Sequence, residues 1–146
     1  MTVKIRKIAA EDYPAVHQLI LEFAIFIQTP EKVSITVEQM TAEQESFNCL
    51  VAEAGGRIVG FATYFPAYYS RTGKAIYLDD LFILEAYRGR NIGSMLLEAV
   101  IETGRKWGCV KVRWQVSRWN EQAIEFYRKR GAVVDDTEMN CDLYLD

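Results

Sequence analysis

Apolar residues in the first third of the chain recur with two different periods. Residues 3–7 alternate between apolar and polar side chains, which predicts a short β-strand. A helical stripe follows, with apolar side chains spaced three and four positions apart and Pro14 in the first turn, where proline is tolerated. The stripe consists of Val16, Leu19, Ile20, Phe23 and Ile27. The Thr29-Pro30 pair ends this helix, and residues 36–45 form a weaker, more polar helix candidate.

The middle of the chain has the pattern of three successive strands. Residues 49–53 and 58–65 are strand-like and are joined through Gly55-Gly56, a dipeptide that supplies the positive φ angles of a tight hairpin. Residues 66–73 are expected to form a looser connection. Residues 74–84 are the longest strand candidate.

Helical and strand-like segments alternate in the last third. After a polar turn at 85–93, a helix is predicted to end near Gly108, with an apolar face formed by Ile92, Met95, Leu96, Ala99, Thr103 and Trp107. Strand 110–116, helix 120–130 and a short final strand at 143–145 complete the order. This order predicts an α/β (α+β) fold in one domain, residues 1–146, with antiparallel strands early and a crossover helix later.

Composition excludes several classes of protein. The 146 residues are 50% hydrophobic and 25% charged, so there is enough apolar surface for a folded core. A net charge of −3 argues against a nucleic-acid partner, and no apolar run is long enough to cross a membrane. We find no secretory signal, and expect a cytoplasmic protein.

Metal and cysteine chemistry are not indicated by the sequence. Cys49, Cys109 and Cys141 are odd in number and widely spaced, matching neither a disulfide framework nor a zinc site. We interpret them as packing residues. His17, the only histidine, lies among polar residues of a helical pattern, so neither a Ser–His–Asp nor a Cys–His mechanism is expected.

A glycine-bearing turn could hold a pyrophosphate. It lies between the long strand and a helix and reads Arg88-Gly89-Arg90-Asn91-Ile92-Gly93-Ser94. The first amides of a helix have no intrahelical partner, and glycines let the backbone approach phosphate oxygens closely. Without the Gly-Lys-Ser/Thr ending it is not a P-loop. A solvated turn with surface arginines is the alternative interpretation of this segment alone.

Two further segments carry candidate chemistry. The long strand holds the adjacent carboxylates Asp79 and Asp80 within an apolar run. Since side chains alternate between faces along a strand, only one of the pair is expected to point into a given cleft. Downstream, Asn120 begins a helix that presents Tyr127 two turns later.

Together these segments resemble the GCN5-related N-acetyltransferase superfamily, and more closely its diamine (spermidine/spermine) and thialysine N-acetyltransferase branch. The matching stretches are residues 47–53, 77–82, the turn 88–94, and 119–132. The resemblance implies a mixed, mostly antiparallel sheet that splays open after the long strand, flanked by about four helices. It also implies a homodimer, because members of the family are commonly dimers.

The resemblance implies acetyl-CoA as the donor and no metal. Pantetheine is then expected to pair with the main chain of Leu81, Phe82 and Ile83, and Asn120 to contact the cofactor. The expected pyrophosphate site comprises Arg88, Gly89, Arg90, Asn91, Ile92, Gly93 and Ser94. Asn91 stands where the family usually has glycine. Asn tolerates left-handed backbone geometry better than other non-glycine residues, so the turn is still expected to form.

The resemblance also indicates which residues act on the reacting groups. Asp79 is the candidate general base, acting through a water, with Asp80 as the alternative; either could instead be a structural carboxylate. Tyr127 is the candidate donor to the departing thiolate, its alternative being a core tyrosine. Main-chain amides near Leu81 are expected to stabilise the acetyl oxygen.

The acceptor is expected to be a small primary amine, with Phe26 and Ile27 lining its pocket together with Asp79 and Asp80. Tyr64, Tyr68, Tyr69 and Tyr77 are further candidates for that site. The usual acidic residue aligned with Ile27 is missing, as is a tryptophan near the C-terminus, so a less charged amine or an amino-acid side chain fits better than a polyamine. The alternatives are a protein or peptide acetyltransferase and a non-catalytic acyl-CoA sensor.

Overall fold

The computed structural model describes residues 2–145, which form two compact units that meet in the sequence between Gln115 and Val116. The prediction of one domain over residues 1–146 stays a prediction, since its two terminal residues lie outside the described range. In the first unit the strands are β1 (Val3–Lys7), β2 (Asn48–Ala54), β3 (Arg57–Tyr69), β4 (Gly73–Ile83) and β5 (Lys111–Trp114). Its α-helices are α1 (Tyr13–Phe26), α2 (Val37–Ala42) and α3 (Ile92–Lys106).

The five strands form one sheet in the order β1-β2-β3-β4-β5. The first four pair antiparallel, and β5 pairs parallel to β4 after the α3 crossover. The predicted mixed sheet, mostly antiparallel and joined by a crossover helix, is therefore confirmed. The loose connection expected at residues 66–73 is wrong: β3 continues to Tyr69 and β4 begins at Gly73, because cross-strand pairs extend to the end of the hairpin.

Two apolar layers enclose the sheet. On one face, α1 and α2 pack Val16, Leu19 and Met40 against Val51, Phe61 and Phe82. On the other face, α3 buries Ile92, Leu96, Leu97 and Val100. The apolar face predicted for α3 is partly wrong, since Met95 is exposed and the buried stripe includes Leu97 and Val100 instead.

Gly60 sets how closely these layers approach β4. A Cβ added at this position would lie 2.7 Å from Ile83 Cδ1 and 3.0 Å from the Phe82 carbonyl oxygen. The tip of Ile83 could rotate away, but the contact with the carbonyl oxygen is tighter than most Cβ contacts, so a larger residue would press on β4. The glycine therefore permits the close approach of β3 to the strand that carries the carboxylate pair.

The second unit contains one helix, α4 (Glu121–Lys129). Asn120 caps it, because its side-chain oxygen accepts a hydrogen bond from Ala123 N at 3.2 Å. The strand predicted at residues 143–145 is wrong. In the described residues after α4 there is no helix or strand, and Leu143 and Leu145 are 88% and 90% exposed, so their apolar alternation gains no burial.

An ion-pair network joins β1, β2 and the start of α1. The Arg6 guanidinium donates to Asp12 Oδ2 at 2.6 Å and to Glu53 Oε1 at 2.8 Å, and Ala9 N donates to Asp12 at 2.7 Å. Because Asp12 is buried, these donors replace its lost hydration. The hydrogen bond from Arg6 lowers the pKa of the Asp12 carboxyl below its ordinary value.

The network predicts an acid-sensitive contribution to stability. A carboxyl whose pKa is lower in the folded chain stabilises it above the unfolded pKa of about 3.9, and this stabilisation is lost as the pH falls through the folded pKa. Asp12→Asn should therefore lower the free energy of unfolding by about 2 kcal/mol at pH 7. Urea denaturation at pH 7 and pH 3 checks this, with the exposed Glu11→Gln as the control. A loss of equal size at both pH values would contradict the electrostatic explanation.

Candidate active site

A β-bulge in β4 brings both strand carboxylates to one face of the sheet. Thr63 of β3 lies opposite Asp80, and Tyr64 lies opposite Leu78, so Asp79 is an extra residue with no partner in the ladder. The extra residue reverses the alternation of side chains along the strand. Leu78 therefore lies on the face covered by α3, whereas Asp79 and Asp80 both face α1 and α2.

The two carboxylates line the same cleft, which corrects the prediction that only one could do so. The cleft has a volume of about 400 Å³. It is enclosed by α1, the connection between α1 and α2, α2 itself, and β4. Its lining residues are Ile20, Lys32, Val33, Ser34, Ile35, Met40, Glu43, Ser46, Phe47, Asp79 and Asp80.

Both carboxyl groups have raised pKa values, but they differ in hydrogen bonding and accessibility. Burial and the neighbouring charge of Asp79 raise the pKa of Asp80 to about 6, although the Thr63 hydroxyl, which donates to Asp80 Oδ2 at 2.5 Å, partly opposes this shift. Desolvation also raises the pKa of Asp79, which is the more accessible of the two. Asp80 is thus anchored to β3, while Asp79 faces the cleft as a carboxylate whose pKa has moved toward neutrality.

One wall of the cleft is fixed by His17 on α1. The His17 Nε2 lies 2.9 Å from the carbonyl oxygen of Ile35, so the imidazole donates from this nitrogen. Immediately afterwards Thr36 caps α2 by accepting a hydrogen bond from Gln39 N at 3.1 Å. The segment before α2 is therefore attached to α1 at one end and to the helix at the other.

The bulge also directs main-chain groups toward the open edge of β4. Leu84 N donates to Val59 O at 2.9 Å, and bonded pairs in an antiparallel ladder recur at every second residue. Phe82 and Asp80 therefore bond to β3. Leu81 and Ile83 point their N–H and C=O groups in the opposite direction, away from β3.

This edge opens because β5 is short. The parallel pairing of β4 with β5 ends at Leu78 opposite Trp114, whereas β4 continues for five more residues to Ile83. The splayed arrangement expected from the sequence is present at this point. Of the three residues predicted to pair with pantetheine, the register leaves Leu81 and Ile83 with outward main-chain groups, and it turns those of Phe82 toward β3.

The turn before α3 has the geometry of an anion-binding helix start. Gly89 and Asn91 both adopt left-handed backbone conformations, with φ angles of 78° and 66°. The Asn91 side chain accepts no hydrogen bond from the start of the helix. Among the described residues, it therefore does not cap the main-chain amides of Ile92, Gly93 and Ser94. Asn91 has thus taken the conformation normally given to glycine, as the sequence predicts.

The two arginines of the turn make local contacts. Arg88 Nε donates to the carbonyl oxygen of Ile83 at 3.0 Å, and its guanidinium stacks 4.6 Å from the Phe26 ring centroid. The Arg90 guanidinium lies 5.3 Å from the Tyr87 ring. Arg88 therefore spans the end of the open β4 edge, and its predicted role toward a pyrophosphate stays a prediction.

Only part of the predicted acceptor site lies in the cleft, and the predicted role of Phe26 and Ile27 toward an acceptor stays a prediction. Asp79 and Asp80 line the cleft, but Phe26 and Ile27 do not. The helix ends at Phe26, which packs on Phe82, and the chain turns away after Ile27 through Gln28 at a φ of 64°. The wall is formed instead by the following segment, residues 32–35.

The tyrosines considered for this site also lie outside the cleft lining. Tyr64 is buried against Trp107, and Tyr77 stacks on Phe65 with ring centroids 5.0 Å apart. The centroid of the Tyr69 ring lies 4.6 Å from Lys111 Nζ and 5.1 Å from the guanidinium carbon of Arg113. Phe47 is the one aromatic residue of the cleft among those described.

Sequence reasoning missed the polar rim of the cleft. The rim residues come from a polar segment without helical or strand periodicity: Lys32, Ser34, Glu43 and Ser46. Only their position in the sequence, soon after the first helix, could have indicated that they line the cleft. The described residues contain no cluster suited to a metal ion. Burial raises the pKa of the Cys49 thiol above its ordinary value, which favours the inert packing residue expected from the sequence.

In the second unit, Tyr127 is half-buried on α4, and desolvation raises the pKa of its phenol above the ordinary value. The side-chain oxygen of Asn120 accepts the capping hydrogen bond from Ala123 N. The side-chain NH₂ group of Asn120 takes no part in that bond. The predicted roles of both residues toward the cofactor stay predictions.

Comparison with known proteins decides the family. The Acetyltransferase (GNAT) family profile matches residues 3–132. The chain belongs to this acetyltransferase family. The acetyltransferase is 32% identical over 143 residues to thialysine N-epsilon-acetyltransferase of Mus musculus, covering 90% of this chain and 84% of the relative. It is 33% identical to L-ornithine N5-acetyltransferase of Arabidopsis thaliana, covering 100% of this chain and 63% of that protein.

A solved structure supports the fold of the acetyltransferase. An integron cassette protein of V. cholerae superposes with a TM-score of 0.80 at 19% identity, covering 100% of this chain and 94% of the other. The predicted GNAT-like fold is thereby confirmed. The predicted acyltransferase class is confirmed by the family profile and by the named acetyltransferase relatives. No helix in the described part of the acetyltransferase is long and apolar enough to cross a membrane.

The start of α3 allows a test of the pyrophosphate turn that separates binding from folding. A Cβ added at Gly93 would meet only Ile83 Cγ1, at 3.9 Å, so Gly93→Ala should fold and should gain helix propensity of up to about 1 kcal/mol. If the first amides of α3 bind a pyrophosphate, the added methyl group is expected to hinder its close approach. We expect an unchanged or higher Tm and a Kd for CoA at least about tenfold weaker, measured by calorimetry.

Gly104→Ala is the matched control on the same helix. Its added Cβ would also make ordinary contacts, the nearest at 3.7 Å from Val112, but it lies three turns from the helix start. CoA affinity should be unchanged in this variant. Equal CoA affinity in Gly93→Ala and Gly104→Ala would remove the helix start from the binding site.

Proposed function

We propose that this acetyltransferase transfers the acetyl group of acetyl-CoA to the primary amine of a small molecule, by direct attack in a ternary complex. The observation that carries the proposal is the bulge in β4, which places two carboxylates in one cleft and turns the main chain of Leu81 and Ile83 toward an open strand edge. An acidic amine site and a docking edge for an extended thioester therefore come from consecutive residues.

The donor side of the proposal rests on main-chain groups. The outward groups of Leu81 and Ile83 are suited to pair with the amide-containing pantetheine arm, and the uncapped amides of Ile92, Gly93 and Ser94 are suited to the pyrophosphate. Acetyl-CoA supplies an activated acetyl thioester. The Leu81 N–H is the proposed donor to the acetyl oxygen as negative charge develops there.

The acceptor side needs a proton acceptor. An alkyl ammonium has a pKa near 10.4, so at pH 7 only about one molecule in 2,500 is neutral and nucleophilic. Asp79 is the proposed base, acting through a water, because Asp80 already accepts from Thr63. The ammonium first gives one proton through the water to Asp79. The neutral amine nitrogen then forms a bond to the acetyl carbon, the carbon–sulfur bond breaks with its electron pair leaving on sulfur, and the second proton of the nitrogen passes to the thiolate.

Tyr127 is proposed to stabilise the leaving thiolate. Its phenol has a pKa raised by burial, so at neutral pH it is an uncharged hydrogen-bond donor. Complete proton transfer to a thiolate with a pKa near 8.5 is unfavourable from such a phenol, so donation of a hydrogen bond is the proposed role. No covalent acyl-enzyme is part of this mechanism.

A panel of amines tests the proposed function. Thiol release from acetyl-CoA is followed with spermidine, thialysine, L-ornithine and a lysine-containing peptide. Turnover of one or more small amines, with little turnover of the peptide, is the expected result. Thermal stabilisation by CoA without turnover of any amine would instead indicate an acyl-CoA sensor.

A further inference from the structure

Thr63 is buried on β3, directly opposite Asp80 of β4. Its side chain is 5% exposed, and it does not line the cleft. Its hydroxyl donates a hydrogen bond to Asp80 Oδ2 over 2.5 Å. In the ladder, this pair is the last one before the register shifts around Asp79. A side-chain bond therefore joins the two strands at the edge of the bulge.

This bond makes the two carboxyl groups of the cleft unequal. Asp80 is half-buried and accepts from the neighbouring strand. Asp79 is exposed, lies outside the ladder and, among the described residues, accepts no side-chain hydrogen bond. The branched Cβ of threonine restricts its χ1 angle, so the direction of the hydroxyl is well defined. Asp80 is therefore held at one position, whereas Asp79 can turn toward a water or an amine.

Titratable groups face Asp80 from the cleft and from β2. They are Asp79 on β4, Cys49 on β2, and Lys32 and Glu43 at the rim. The side chains that α1 and α2 contribute to the lining are uncharged. Burial and the charge of Asp79 raise the pKa of Asp80 to about 6, and the Thr63 hydroxyl opposes this rise. At pH 7 the ionised form of Asp80 therefore exceeds the protonated form about tenfold.

Resting on the proposed function, we infer that Thr63 is a positioning residue that separates the roles of the two carboxylates. It fixes Asp80 as the anionic partner of the acceptor ammonium and leaves Asp79 to accept the proton. A hydrogen bond donated by a hydroxyl stabilises an ionised carboxylate, so Asp80 keeps its charge where the acceptor binds. Thr63 lies outside the cleft lining and acts through Asp80 alone.

Two substitutions separate the hydroxyl of Thr63 from its shape. Thr63→Val keeps the branched shape and removes the hydroxyl, whereas Thr63→Ser keeps the hydroxyl and removes the methyl group. Carbon-13 NMR of the aspartate carboxyl groups follows protonation without turnover, with Asp80 assigned by the signal that Asp80→Asn lacks. Thr63→Val should raise the proton affinity of Asp80 about tenfold, as expected for the loss of one hydrogen bond to a charged group. Thr63→Ser should leave it near that of the unmodified protein.

The same variants separate KM from kcat. Protonation of Asp80 removes the anionic partner of the ammonium, so KM for the amine should rise as the pH falls through the pKa of Asp80. The kcat at saturating amine depends instead on Asp79. In Thr63→Val the rise in KM should occur about one pH unit higher than in the unmodified protein, with kcat retained. Both constants are measured for spermidine, thialysine and L-ornithine between pH 5 and 8.

Thr103→Val is the matched control. It removes a hydroxyl that donates to the carbonyl oxygen of Ala99 at 2.9 Å, within α3 on the other face of the sheet. The titration of Asp80 and the pH dependence of KM should be unchanged in this variant. In an Asp80→Asn background, Thr63→Val should have no further effect on KM, because the partner through which Thr63 acts is gone.

The outcomes separate this inference from the proposed function. An unchanged titration of Asp80 in Thr63→Val, or the same change in Thr63→Ser, would overturn the inference. An equal rise in KM in the Asp80→Asn background would also overturn it, since Thr63 would then act on the fold. Absence of turnover with every amine would overturn the proposed function itself, and the NMR titration would still decide whether Thr63 controls Asp80.

Discussion

Asp79→Asn is expected to lower kcat/KM for acetyl transfer about 10²-fold or more. The substitution keeps the size and polarity of the side chain but removes the group that accepts the amine proton, and general bases contribute this order of magnitude. The acid limb of the pH–rate profile should also disappear, because no carboxylate with a raised pKa is left to be deprotonated in that role. Thiol release measured between pH 5 and 9 checks both effects.

Asp80→Asn is the informative comparison. Desolvation raises the pKa of Asp79, whereas the repulsion between the two carboxylates raises the pKa of Asp80, so Asp80→Asn should leave the pKa of Asp79 nearly unchanged. The acid limb should therefore stay in place, and most of the activity at pH 8 should be retained. If Asp80→Asn abolished activity and Asp79→Asn left it intact, the roles of the two carboxylates would be exchanged.

Tyr127→Phe should lower kcat about tenfold or more while the Kd for CoA stays nearly unchanged. The hydroxyl is expected to act on a charge that develops only as the carbon–sulfur bond breaks, so its removal affects the transition state more than the bound ground state. Rapid-mixing measurement of acetyl transfer, with CoA affinity from calorimetry, distinguishes the two quantities.

Phe126→Leu, at the preceding position of the same helix, controls for altered packing in the Tyr127 experiment. The adjacent rings of Phe126 and Tyr127 pack edge to face, with centroids 5.5 Å apart. A similar fall in kcat in both variants would point to the position of α4 rather than to the phenol. An unchanged kcat in Tyr127→Phe would remove this residue from the mechanism.

Much of the fold could be predicted from local patterns. The strand at Val3–Lys7, the hairpin at Gly55-Gly56 and the long crossover helix each have strong periodicity or turn chemistry within a few residues. The strand predicted at 143–145 shows the limit of this approach. Three alternating residues are compatible with a strand, but only burial against a partner stabilises one.

The sequence identifies the carboxylate pair, but it does not predict that both side chains face the same side of the sheet. Which side of a strand a residue faces depends on the register with its neighbour, and a single extra residue reverses it. That Asp79 lies outside the ladder depends on Thr63 pairing with Asp80 and Tyr64 with Leu78. Such long-range pairing leaves no local signal in the strand itself. The rim residues Lys32 and Glu43 were missed for a related reason, since their proximity to the pair arises only when the chain folds.

The unpaired Asp79 limits how the protein could be redesigned. Deleting this one position would make β4 regular, with Asp80 still opposite Thr63, so the cleft would lose the one carboxylate that lies outside the ladder. An engineer who wants a new acceptor should therefore leave the backbone of β4 untouched. The side chains at the mouth offer a safer route, because they can be exchanged without moving either reactant.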